Sequence, residues 1–150
     1  MALHIGDKAP DFLGNDQAGQ PVYLKDYAGK KIALYFYPKD NTPGCSAQAC
    51  SLRDGYQALQ AAGYEIIGVS KDSEKSHQNF IQKKELPFRL ISDSDLTLQE
   101  AFGVWREKKM MGRTYMGTVR TTFIIGTDGL IEEVIEKVKT KDAANQILNK

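Results

Sequence analysis

Apolar and polar positions along the chain divide it into short strand-like runs and stretches of helical spacing. Residues 32–37, Ile32-Ala33-Leu34-Tyr35-Phe36-Tyr37, form a continuous apolar run of strand length with nothing polar to face water. That pattern predicts a central strand buried on both faces, hence a parallel sheet with helices on either side. Pro38 breaks the run, and Thr42-Pro43 marks a helix start with Thr42 as N-cap and Pro43 at the first helical position. Leu52, Tyr56 and Leu59 continue at helical spacing until Gly63 stops the helix. Residues 64–70 predict the next strand. Asp72 and Ser73 start a helix that carries Phe80 and Ile81 and stops near Leu86-Pro87. Residues 88–91 predict a third strand, followed by a short helix through Leu96 to Phe102, capped by Asp93 or Ser94 and ended by Gly103. Strands and helices alternating in this way imply right-handed βαβ crossovers.

The two ends of the chain follow a different pattern. Pro10, Gly14, Gly19 and Pro21 discourage long helices in residues 1–31, and residues 21–24 predict a short strand after a turn, part of a hairpin capping the core. Residues 105–118 are basic, bounded by Gly and rich in Met and Tyr; they fit no regular element and predict a long surface loop. Two readings of that loop stay open. In one, its Trp and Met residues anchor a solvated connection; in the other it flanks the active site. Asp128-Gly129 is a strong turn signal between two β-rich runs, predicting a hairpin over 119–135 that supplies antiparallel edge strands. Residues 141–148 predict a final helix. The expected fold is therefore one α/β domain spanning 1–150, with a mixed central sheet flanked by helices and an N-terminal β extension.

Composition narrows the function classes. A chain of 150 residues, 41% hydrophobic and 26% charged, is ordinary for a globular protein. A formal net charge of +1 argues against general nucleic-acid binding, which normally needs a marked basic excess. No apolar stretch approaches a membrane span. Residues 1–5 lack the basic head and apolar run of a signal peptide, so a cytoplasmic address is expected. In a reducing compartment, two cysteines are more often reactive than stapling.

Those cysteines carry the chemistry. With Pro43 at the first helical position, Cys45 falls at the third, where a capping box carries Glu because the first-turn N–H groups and the helix dipole favour an anion. A thiol in that place is favoured as its thiolate, the nucleophilic form. On an intact α-helix Cys50 lies about 7.5 Å along the axis and about 140° around it, so the two Cα atoms are roughly 8.7 Å apart. A disulfide needs about 4.4–6.8 Å, so the pair cannot close without local unwinding. This spacing does not suit a resting dithiol like that of thioredoxin. It fits a cysteine that is oxidised first, after which the helix opens and the second cysteine resolves the product.

Pro38-x-x-x-Thr42-x-x-Cys45, Arg120 in the run Val119-Arg120-Thr121-Thr122-Phe123-Ile124-Ile125, and the opening Ile5-Gly6-Asp7-Lys8-Ala9-Pro10-Asp11-Phe12 resemble the peroxiredoxins. The Cys-x-x-x-x-Cys spacing resembles the bacterioferritin comigratory protein, or PrxQ, subfamily. The resemblance extends over nearly the whole chain and implies a thioredoxin-like fold. It also implies a thiol-dependent peroxidase acting on hydrogen peroxide and organic hydroperoxides, with Cys45 peroxidatic, Cys50 resolving, and Pro38, Thr42 and Arg120 completing the site. Thioredoxin, or a glutaredoxin-like dithiol, is the implied reductant, and a monomer is the implied state. No cofactor or metal is implied. Many relatives carry Glu where this chain has Gln48; an amide still hydrogen-bonds to an Arg, so tuning of the site is expected and not loss of activity.

Duller readings stand beside these. Cys45 as a small buried hydrophobe sits poorly between Thr-Pro-Gly and Ser. Cys50 also fits a core position. Thr42 also fits a cap alone and Pro38 the end of a strand, while Arg120 without the resemblance is an ordinary surface cation. His4 and His77 are not expected to act in catalysis. A general thiol–disulfide oxidoreductase, a metal-binding module and a stoichiometric redox sensor are the rival functions. The five-residue spacing counts against the first, and two cysteines with two distant histidines against the second.

Overall fold

A computed structural model describes residues 3–149. The chain opens with β1 (Phe12–Asn15) and β2 (Pro21–Tyr23), an antiparallel pair, followed by a 3-10 turn over Leu24–Tyr27. The predicted central strand is β3 (Lys31–Phe36), whose last five residues are buried. Then come α1 (Pro43–Asp54), α2 (Tyr56–Ala61), β4 (Tyr64–Ser70), α3 (Glu74–Lys84), β5 (Arg89–Ser92) and α4 (Thr97–Phe102). The chain ends with β6 (Trp105–Met110), β7 (Arg113–Thr118), β8 (Thr121–Ile125), β9 (Ile131–Ile135) and α5 (Ala143–Leu148).

The main sheet has the order β5-β4-β3-β8-β9. β3, β4 and β5 are parallel; β8 runs antiparallel to β3, and β9 antiparallel to β8. The sheet is mixed, as expected, and alternate residues of β3 feed two cores. Ala33 and Tyr35, with Tyr37 beyond the strand, pack with Cys45, Ala49 and Leu52 of α1, Phe80 of α3 and Ile147 of α5. Ile32, Leu34 and Phe36 pack with Leu13, Val22, Leu98, Phe102 and Phe123 on the opposite face. A run that is apolar at every position is what a strand between two such layers requires.

Three expectations need correction. Residues 105–118 are not a loop: β6 and β7 pair antiparallel from Trp105↔Thr118 to Met110↔Arg113. Their two-residue connection, Met111-Gly112, has φ of 51° and 80°, the left-handed pair a tight hairpin turn demands, with Gly at the second position. Apolar alternation is absent because the strands pair only with each other and their tip lies open to solvent, with Met111 97% exposed. Secondly, of the two strands of the second hairpin β9 is an edge but β8 is interior, the opposite edge being β5; every residue of β8 is buried, so it behaves as a second central strand. Thirdly, the helix after Cys45 does not run unbroken to Gly63. It stops at Asp54 and resumes as α2 after Gly55, which leaves helical geometry with φ −92° and ψ 4°, and where a Cβ would lie 2.5 Å from the Ala144 Cβ. Among the described residues no helix is long and apolar enough to cross a membrane.

Candidate active site

The site is built where β3 ends and α1 begins. Tyr37 continues the β3 ladder by donating its N–H to the Val69 carbonyl at 3.1 Å. Half-buried Pro38 follows, and Asn41 adopts φ 62°, a left-handed turn that aims the chain into the helix. Thr42 is the N-cap and Pro43 the first helical residue. The hydroxyl of Thr42 nevertheless makes no capping bond. It donates to the Lys39 carbonyl at 2.8 Å, which leaves the first-turn N–H groups without its oxygen.

Cys45 sits in the first turn of α1 with only 1% of its surface exposed. Arg120, at the entry to β8, reaches it across the fold: Nη2 donates to Cys45 Sγ at 3.3 Å, and Nη1 to Gln48 Oε1 at 2.7 Å. Gln48 is one turn beyond Cys45, and its amide oxygen holds the guanidinium in place as the sequence reading expected. Gly44 makes room for this, since a Cβ there would lie 3.2 Å from Arg120 Nη2. The structure thus brings Cys45, Gln48 and Arg120 into direct contact and sets Pro38 and Thr42 on the adjoining loop. Cys50 is half-buried near the middle of an intact α1, and both thiols are free.

Three groups were not anticipated from the sequence. Lys108 of β6 donates from Nζ to the Thr118 carbonyl at 2.9 Å, just before Arg120. Burial and then the like charge of Arg120 lower its pKa, while Cys45 acts in the opposite direction. The hairpin thus carries a cation on which the charges of Arg120 and Cys45 act. Tyr35, stacked on Tyr37 at 5.3 Å between ring centroids, has a buried hydroxyl with no hydrogen-bond partner among the described residues. Burial, then the charges of Asp40 and Cys45, push its pKa well up. His77 is fully buried and bonded to Asp40 in the loop before Thr42. His4 is exposed near the amino terminus and pairs with Asp7. Asp40, Asp72 and His77 bring potential ligand atoms within 4.8 Å of one another, but protein donors and a backbone carbonyl already engage them.

Residues 5–134 match the AhpC/TSA family. The peroxiredoxin Bcp of Bacillus subtilis is 46% identical over 148 residues, covering 99% of this chain and 94% of its own. Among solved structures, a cysteine-to-serine variant of PrxQ from Xylella fastidiosa superposes with a TM-score of 0.90 at 36% identity, covering 99% of this chain and 95% of its own. The bacterioferritin comigratory protein of Xanthomonas campestris does so with a TM-score of 0.84 at 34% identity, covering 95% and 96%. The chain belongs to the AhpC/TSA family, as a peroxiredoxin of the bacterioferritin comigratory protein, or PrxQ, subfamily.

Proposed function

We propose that this chain reduces hydrogen peroxide and organic hydroperoxides by a two-cysteine cycle in which Cys45 is oxidised and Cys50 resolves it. The observation that carries the reading is the 3.3 Å bond from Arg120 to the Cys45 sulfur at the start of α1. A cation and the positive end of a helix then act together on one sulfur. The alkyl peroxide reduction studied in the Xanthomonas protein supports the extension to organic hydroperoxides.

In the first step the Cys45 thiolate attacks one oxygen of the peroxide. An S–O bond forms, the O–O bond breaks, and the departing oxygen takes a proton to leave as water or alcohol. Arg120 and the open first-turn N–H groups stabilise the charge on that oxygen, and the Thr42 hydroxyl aligns the peroxide. Pro38 shields the resulting sulfenic acid. The first turns of α1 then unwind, the Cys50 thiolate displaces hydroxide from the Cys45 sulfur, and a disulfide and water result. An external dithiol, thioredoxin or a glutaredoxin-like protein, attacks that disulfide, passes through a mixed disulfide and is itself oxidised as both thiols return. The whole chain serves as one domain, monomeric and cytoplasmic, with no cofactor in the cycle.

Steady-state peroxide consumption with thioredoxin, thioredoxin reductase and NADPH tests this reading. Turnover abolished in Cys45→Ser and impaired in Cys50→Ser is the expected result. Full thioredoxin-dependent turnover in Cys50→Ser would remove the resolving role.

A further inference from the structure

Resolution requires α1 to unwind from its first turn, yet the loop immediately before it carries Pro38 and Thr42, which the chemistry needs in place. Something must hold that loop while its neighbour moves. Asp40 lies in the middle of it, 5% exposed, and is bonded on every side. Its Oδ1 accepts from the Tyr37 hydroxyl at 2.6 Å; its Oδ2 accepts from the Ser76 hydroxyl at 2.8 Å and lies 2.7 Å from His77 Nδ1. Its backbone N–H donates to Asp72 Oδ2 at 2.8 Å, and the same oxygen receives the Ser70 hydroxyl.

His77 completes the arrangement from α3. Its Nε2 lies 2.9 Å from the Ile91 carbonyl of β5, and a carbonyl only accepts, so Nε2 carries a hydrogen. A proton must also lie between Nδ1 and Asp40 Oδ2, so both ring nitrogens are engaged in hydrogen bonds shielded from water. The partners of Asp40 come from the residue just after β3, from α3 and from the segment between β4 and α3. None belongs to α1. The loop is thus tied to the parts of the fold that need not move.

We propose that the buried Asp40–His77 pair is a positioning clamp: it fixes Pro38 and Thr42 on α3 and β5 so that unwinding is confined to α1. His77, expected from the sequence to be idle, acts on Cys45 chemistry through the loop without touching the sulfur. The clamp rests on Cys45 being the reacting cysteine, as proposed above.

The test follows Cys45 oxidation and Cys45–Cys50 condensation separately, by rapid mixing with hydrogen peroxide, quenching with an alkylating reagent and intact-protein mass, with thermal unfolding measured alongside. His77→Leu removes both bonds. His77→Asn keeps a donor near the Nδ1 position, whereas His77→Gln keeps one near Nε2. Oxidation about tenfold slower in His77→Leu, restored to within about threefold by His77→Asn but not by His77→Gln, with condensation no slower than in wild type, is the expected result. A folded His77→Leu that oxidises at the wild-type rate would overturn the clamp. So would rescue by Gln without rescue by Asn, and that comparison alone carries the test where His77→Leu fails to fold. A wild-type protein whose Cys45 is not oxidised would instead overturn the two-cysteine reading.

Discussion

A single guanidinium organises the chemistry at the scale of residues. Arg120 spends one nitrogen on the Gln48 amide and the other on Cys45, so its position is set by a neutral partner and its charge remains directed at the sulfur. An amide accepts the bond without adding a negative charge beside the Cys45 sulfur. Replacing Arg120 with Met should slow Cys45 oxidation by about a hundredfold, the scale of losing one preorganised donor to a developing oxyanion. Single-turnover oxidation by hydrogen peroxide measures it; a loss of less than about threefold would show that the first-turn N–H groups suffice alone. The Cys45, Thr42 and Pro38 placements were legible because helix starts announce themselves locally, through Thr-Pro and the residues just after it. Arg120 was legible only through family resemblance, since nothing local in Val119-Arg120-Thr121 shows that the side chain crosses to α1. Thr42 is the N-cap the sequence predicts, but its hydroxyl is taken by the Lys39 carbonyl, a partner that no local pattern reveals.

Among elements, the central strand and its helices were the easiest to read, and the hairpin of β6 and β7 the hardest. β3 is buried on both faces and declares this by apolar residues at every position. β6 and β7 have no such layers, so their charged residues hid the pairing and only Gly112 pointed to a turn. The same hairpin brings Lys108 to the site. Lys108→Met should slow peroxide oxidation by about 1.4- to fivefold, in keeping with the ~0.2–1 kcal/mol of a partly exposed charge. It should also change how stability depends on pH. Burial and Arg120 lower the Lys108 pKa in the folded protein, so the unfolded chain holds that proton more tightly. Stability of the wild type therefore rises relative to Lys108→Met as pH climbs from the lowered folded value to about 10.4, where unfolded lysine titrates. Urea melts of both proteins across that interval check the sign, and a wild type that loses stability relative to Lys108→Met as pH rises would contradict it.

For the molecule as a whole, two cores on either side of one sheet divide the work. The layer of Ile32, Leu34 and Phe36 with the N-terminal hairpin and α4 includes neither cysteine. The other layer contains Cys45 itself, packed with Ala49 and Leu52 of α1. In the proposed cycle, oxidation of Cys45 would therefore disturb the packing of one face and leave the other face and the strand order unchanged. The division was partly visible in the sequence, through alternating strands and helices and a five-residue cysteine spacing that an intact helix cannot bridge. The buried Asp40–His77 contact was not, because the two are separated by 37 positions along the chain and no short-range pattern joins them.

The central claim is that Cys45 is oxidised first and that α1 then unwinds to let Cys50 reach it. Hydrogen exchange read by mass spectrometry on the reduced protein, and again after one equivalent of hydrogen peroxide, tests this most directly. The account predicts loss of two hydrogens from the protein mass together with loss of amide protection confined to residues 43–50, while β3, α3 and β5 keep theirs. Formation of the same disulfide with α1 fully protected, or a stable sulfenic acid with no disulfide, would contradict it.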